Sequence, residues 1–210
     1  MYSLVKKFSD KNRQKKLDYF LSYFKPTSGD SVLDIGASEN EYQENGNILE
    51  KRYPYPEQIT VLGVEEYVRF LERYPAVKVI KYDGQGEFPF RDKAFDFCWS
   101  NAVLEHVGDK AAQVFFLNEI KRVSRCAFIT TPNKFFPFEL HTKIFLLHYL
   151  PKKYFDKILL LFKMEWAAGA YMHLLSLYQL KVILKKAGIH KYKIRKNRFM
   201  GFVVDFVIIF

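Results

Sequence analysis

VLDIGASEN (Val32 to Asn40) is a short apolar run that ends on Gly36. It reads as a buried strand turning sharply into a loop. Further strand-type runs follow: ITVLG from Ile59, VKVIK from Val77, FDFCWS from Phe95 and CAFIT from Cys126. Stretches of helical character separate several of them, at Glu39 to Lys51, Glu65 to Tyr74 and Asp109 to Val123. Alternation of this kind predicts βαβ units on a parallel sheet. Upstream, Leu17, Phe20, Leu21 and Phe24 form the stripe of an amphipathic helix that stops before Pro26. Downstream, Leu177, Leu180, Leu184 and Ala187 line another helix, closed by Gly188. The last two strands, about Ile189 to Arg195 and Phe202 to Phe210, have only a short turn around Met200 and Gly201 between them. That connection is too short for a parallel crossover, so they pair antiparallel. The expected fold is α/β: Rossmann-like, doubly wound, with a mostly parallel seven-stranded sheet, a C-terminal antiparallel hairpin and a helical insertion after strand 5.

Composition bounds the class. The 210 residues fit one domain, 1–210, with an N-terminal helix at 1–28 and an aromatic, basic, helical lid at 132–172. Hydrophobic residues make up 49% and charged residues 27%, enough for a packed core. Apolar runs such as IFLL from Ile144 fall short of the roughly 18 residues that cross a bilayer. Met1 to Asp10 lacks the apolar stretch of a secretory signal, so a cytoplasmic location is expected. Cys98 and Cys126 lie outside any CxxC pair and read as inert core thiols on neighbouring strands. The net charge of +10 is uneven: the first thirty residues carry +4, Ser31 to Asn133 carry −4, and Lys134 to Met200 carry +11. Basic flanks suit nucleic acid, an anionic substrate or membrane surface, or a solvated face, the last being the plainest reading.

In open α/β sheets ligands bind beyond the carboxyl ends of the strands. Gly36 lets the backbone approach a ligand closely, and Asp34 places a carboxylate at the first strand's end. Glu65 follows the second strand, where an acid commonly takes both hydroxyls of a ribose. The loop has one glycine instead of G-x-G-x-x-G, and Glu39 and Glu41 lie nearby. Two carboxylates disfavour a pyrophosphate, and a ligand with a cationic or zwitterionic tail fits better. An ordinary βα turn is the plain alternative.

YDGQGEFPFRDKAFDFCWSNAVLEHVGDKAAQVFFLNEIKRVSR, from Tyr82, resembles the stretch shared by class I S-adenosylmethionine-dependent methyltransferases of the type 11 kind. Asp83, Phe88, Pro89, Phe90, Phe95, Asp96, Ser100, Asn101, Leu104, Glu105, His106, Val107, Glu119, Arg122 and Val123 fill the family's pattern. TTPNKFFPFELHTKIFLLHYLP (Thr130 to Pro151) looks like a subgroup often encoded with bacterial cell-surface polysaccharide genes. The first loop departs from the family, with Ser38 and Asn40 where later glycines usually stand.

The resemblance implies S-adenosylmethionine as cofactor. Gly36 and Ala37 would pass under its amino-acid end, whose ammonium Asp34 would face. Glu65 would hold the ribose hydroxyls, and Asp83 the adenine amine, with Gly84 giving room. Ser100, Asn101 and Ala102 would lie beside the sulfonium. His106 is a candidate general base, its plain alternative being to cap or pack the turn. His141 and His148 would line an acceptor pocket, pair on a metal with Glu139, or simply pack. A metal needs three or more converging ligands, so none is expected. Glu119 and Arg122 read as a surface pair. The acceptor is expected to be a small molecule or glycan, anionic in character, with peripheral membrane contact through the basic insertion. A silent binding protein on the same fold is the alternative, and nucleic acid is disfavoured because SNAV replaces the base-methylating [DNS]-P-P-[YF] turn.

Overall fold

The structure is a computed structural model, and it describes residues 2–41, 46–137, 157 and 173–210. Seven strands are hydrogen-bonded in the order β3-β2-β1-β4-β5-β7-β6. They are β1 (Val32–Ile35), β2 (Ile59–Gly63), β3 (Lys78–Lys81), β4 (Phe95–Asn101), β5 (Ser124–Pro132), β6 (Lys193–Phe199) and β7 (Phe202–Ile209). β1 pairs parallel with β2 and β4, β2 pairs parallel with β3, and β6 and β7 are antiparallel. The mostly parallel sheet with a terminal hairpin is the expected fold. Cys98 and Cys126 do sit on neighbouring strands, the first buried and the second half-buried.

By internal packing the chain forms two compact units, Met1–Ser100 with Lys121–Phe128, and Asn101–Ile120 with Ile129–Phe210. In the first, α1 (Tyr2–Phe24) lays its predicted stripe on the sheet. Phe20 is fully buried and meets Phe97, Trp99 and Phe128 edge-on at 5.4–5.9 Å, while Trp99 and Phe128 stack at 5.0 Å. Large rings concentrate apolar area in few side chains, so this cluster anchors the helix. α2 (Ile48–Arg52) and α3 (Val68–Arg73) are much shorter than the helices expected at Glu39 to Lys51 and Glu65 to Tyr74. The reason for α3 is local: Tyr67 adopts φ 55°, outside the helical region, so helix starts only after it.

The second unit contains most of α4 (Lys110–Val123), and all of α5 (Leu177–Lys186), β6 and β7. Asp109 Oδ1 caps α4 by accepting from the amides of Ala111 and Ala112, at 2.9 and 3.0 Å. α5 opens with a capping box between Ser176 and Gln179 and closes at Gly188, as the sequence predicts. β6 runs four residues later than expected, because Ile189 is buried behind α5 and the register is set from the Met200–Gly201 turn. The surface-pair reading of Glu119 and Arg122 is corrected. Glu119 is buried, and Arg122 donates to the carbonyls of Phe88 and Phe90 and to Asp92, tying down the approach to β4. Nearly all of the expected lid, with His141, His148 and Glu139, lies outside the described residues.

Candidate functional site

In the first unit the parallel register sets Ile35 level with Leu62 on β2 and with Ser100 on β4. The Tyr82 amide donates to the Gly63 carbonyl at 2.9 Å, which brings the end of β3 beside that of β2. Asp34, Gly36, Ala37, Glu65, Asp83, Gly84 and Ser100 therefore belong to neighbouring strand ends of one unit. Gly36 takes φ 115°, a conformation only glycine adopts readily, and is exposed where the chain leaves β1.

The loop after Gly36 is held from three sides. Tyr67 Oη donates to the buried Ala37 carbonyl at 2.8 Å. Burial, followed by the charge of Glu65, Asp34, Glu50 and Glu39, pushes that phenol up, so it remains a donor. To get there the ring crosses the end of β2, and a Cβ on Gly63 would lie 1.8 Å from Tyr67 Oη. Glycine is required there by close approach. Asn47 binds both backbone groups of Ser38, accepting from its amide at 3.0 Å and donating to its carbonyl at 2.8 Å. Glu65 Oε2 accepts from the Glu39 amide at 2.6 Å.

The acids of this region have different employments. Glu39 accepts from the amides of Arg69 and Phe70 at 2.8 and 3.0 Å, closing the first turn of α3. Glu41 takes hydrogen bonds from Tyr74 and from Lys51. The sequence reading placed both near the loop as a field acting on a ligand; the fold uses both to fix helices. Glu65 and Asp83 are exposed, and Asp83 Oδ1 accepts from the Gln85 amide at 2.8 Å.

Asp34 is 4% exposed and its partner is Glu50 of α2, 5% exposed, which the sequence reading missed. Burial, then the charge of Glu50, pushes the Asp34 carboxyl well above the usual carboxylate range; burial likewise raises Glu50. Two neighbouring carboxyls in a dry setting oppose each other's ionisation. Glu50 Oε1 is buried with no hydrogen-bond partner among the described residues, as is Ser100 Oγ. Nothing in ILEKRYP signals this, since an acid between Leu49 and Lys51 reads as solvated. Burial also pushes the Cys98 thiol up, with the Asp34 charge adding to it, which fits its reading as an inert core thiol.

In the second unit the EHV turn is stitched into place. Asn101 Oδ1 accepts from Thr130 Oγ1 at 2.7 Å, and the Ala102 amide donates to the Thr130 carbonyl at 3.0 Å. Ala102 has φ 60°, the left-handed conformation that costs a non-glycine residue and that concentrates at working sites. Glu105 is fully buried; its Oε2 accepts from Thr131 Oγ1 at 3.1 Å and its carbonyl from the His173 amide at 2.7 Å. Gln113 Nε2 donates to the carbonyls of Leu104 and His173, both at 3.1 Å. His106 is half-buried with Nε2 3.9 Å from Glu105 Oε1. No group of acids, histidines or cysteines suited to a metal occurs among the described residues.

Residues 43–126 match the protein family described as Methyltransferase domain. A search of curated proteins found no match. Among solved structures, a SAM-dependent methyltransferase from Aquifex aeolicus is 20% identical, covering 99% of this chain and 96% of that one, with a TM-score of 0.56. A possible histamine N-methyltransferase from Thermotoga maritima is 17% identical over 98% and 90%, with a TM-score of 0.60. A Haemonchus contortus phosphoethanolamine N-methyltransferase, solved with phosphomonomethylethanolamine and S-adenosylhomocysteine, is 14% identical over 87% and 39%, with a TM-score of 0.57.

Proposed function

We propose that this chain, which carries a methyltransferase domain on the fold shared by S-adenosylmethionine-dependent methyltransferases, binds S-adenosylmethionine at the ends of β1, β2 and β3 and passes its methyl group to a small-molecule or glycan acceptor. The observation that carries the reading is the buried Asp34–Glu50 pair, with Asp34 two residues before the exposed Gly36 and with a Glu50 oxygen that has no hydrogen-bond partner among the described residues. Such a pair repels a pyrophosphate and favours a ligand whose nearest end is an ammonium. The residues present therefore fit the cofactor.

When bound, the cofactor supplies an activated methyl on a sulfonium, so the protein's part is alignment and exclusion of water. Gly36, Ala37, Asp34 and Glu50 would hold the amino-acid end. Glu65, which braces the loop through the Glu39 amide, would hold the ribose hydroxyls. Asp83 and Gly84 would hold the adenine. Ser100 contributes its buried hydroxyl at the end of β4. In the second unit, Asn101 is fixed by Thr130, and His106 beside Glu105 is the candidate proton acceptor.

The excess of fourteen Lys/Arg over three acids from Lys134 to Met200 supports an anionic acceptor, such as a phosphorylated sugar of the kind handled with cell-surface polysaccharides. His141 belongs to this acceptor reading. Calorimetry with S-adenosylhomocysteine tests the cofactor part: micromolar binding is expected, and silence at millimolar ligand ends it. Mass-spectrometric screening of sugar phosphates and neutral sugars for a gain of one methyl then tests the acceptor.

A further inference from the structure

From residue 173 to the last residue there are eight Lys/Arg and one acid. All eight cations (Lys181, Lys185, Lys186, Lys191, Lys193, Arg195, Lys196 and Arg198) are exposed. The acid, Asp205, is buried and takes a hydrogen bond from Asn197 Nδ2 at 2.6 Å, so it offers nothing to the surface. Five of the cations lie in or beside β6, the last strand of the sheet. Charges along an edge strand discourage strand-to-strand association, and that accounts for lysines there.

Edge protection does not account for what sits at the end of the strand. The tight turn into β7 exposes Met200 at 81% and Phe202 at 54%. Elsewhere in the same unit Tyr178 is 77% and Phe135 56% exposed. Between these elements a groove of about 230 Å³ is lined by Phe135, Leu177, Tyr178, Val203 and Phe206 together with Lys196. Apolar groups presented to water beside a field of one sign are costly to a soluble surface and useful at a membrane interface. There the apolar tip enters the headgroup region while lysine and arginine meet phosphates.

We propose that the β6–β7 hairpin end of the second unit docks on an anionic phospholipid bilayer, Met200 and Phe202 entering the interface and the β6 cations meeting the headgroups. The contact proposed is a peripheral one, and no helix among the described residues is long and apolar enough to cross a membrane. The proposal is independent of methyl transfer.

The test is sedimentation of the full chain with large vesicles of phosphatidylcholine alone or with about one-third phosphatidylglycerol. Binding to the anionic vesicles is expected to exceed neutral binding by tenfold or more and to be stripped by salt, on the order expected when several cations approach the surface. Lys193→Gln with Lys196→Gln is expected to weaken it about twenty-five-fold, at roughly fivefold per charge. Met200→Ser with Phe202→Ser is expected to weaken it about tenfold through lost apolar burial. Both double variants change exposed side chains, and an unchanged melting temperature verifies that they fold. Equal binding to neutral and anionic vesicles overturns the proposal. So does full binding by the serine pair, and so does capture by single-stranded poly(U) in place of vesicles, which would assign the surface to nucleic acid.

Discussion

Asp34 and Glu105 are both buried acids near strand ends, one in each unit, and they have different neighbours. Glu105 is met by donors: the Thr131 hydroxyl takes one side-chain oxygen and the His173 amide takes its carbonyl. Asp34 is met by another acid, Glu50, and burial together with that neighbour's charge raises its carboxyl. A buried carboxyl given a hydroxyl donor is held in place; one given a second carboxyl is pushed toward its protonated form unless a cation joins it. On the proposed function, the difference sets ligand binding at the first unit's strand ends and scaffolding at the buried acid of the EHV turn.

The largest effect is expected from removing the close approach that shapes the first unit's loop. Gly63→Ala drives a Cβ into the Tyr67 ring. It should cost about 3 kcal/mol, lowering the melting temperature by roughly 6–12 °C, and abolish S-adenosylhomocysteine binding. A melting curve within 2 °C of the parent's (roughly half a kcal/mol by the same scaling) would show that Tyr67 does not latch the loop.

Glu50→Gln separates the two buried acids most directly. Groups whose folded pKa is raised contribute stability that is complete below the unfolded value and lost as pH rises through the folded one. Asp34 and Glu50 are both raised, so the free protein should lose stability as pH climbs above about 4. The glutamine variant should flatten that decline and melt higher at pH 8, by about 1–2 kcal/mol. Its affinity for S-adenosylhomocysteine should nevertheless fall about tenfold, an ammonium having lost a charged partner. Tyr67, Glu41 and Cys98 also face this region; because they are unchanged, the difference between variant and parent isolates the pair. Parallel melting curves across pH 4–8 (a window bracketing the raised carboxyls) would break the contrast.

Smaller effects sharpen it. Glu65→Gln removes an exposed charge and should leave melting unchanged while weakening the cofactor product about tenfold, read by calorimetry. Thr131→Val takes a donor from Glu105 and should destabilise by about 1–2 kcal/mol with cofactor affinity intact. A loss of affinity as large as that of Glu65→Gln would move the EHV turn into the binding machinery.

Most of the fold was legible because it rests on local periodicity. The apolar runs at Val32, Ile59, Phe95 and Cys126 leave little choice but buried strands, and the brief turn at Met200 forces an antiparallel pair. Where the roles of charged side chains were misread, a distant partner decided. Glu39 reads as a charge near a ligand until α3 presents two amides to it. Arg122 reads as half of a surface pair until the carbonyls of Phe88 and Phe90 arrive beneath it. Asp34, Gly36, Glu65 and Asp83 were legible as strand-end residues, whereas Glu50 was not.

The amino-acid order alone determined the strands, the helices that separate them, and the glycine and acids at the strand ends, because spacing and backbone preference act within a few residues. Tertiary structure alone decided which acids meet donors, which meet each other, and that Tyr67 must cross Gly63. Those outcomes depend on burial and on hydrogen-bond partners contributed by segments far apart in the chain.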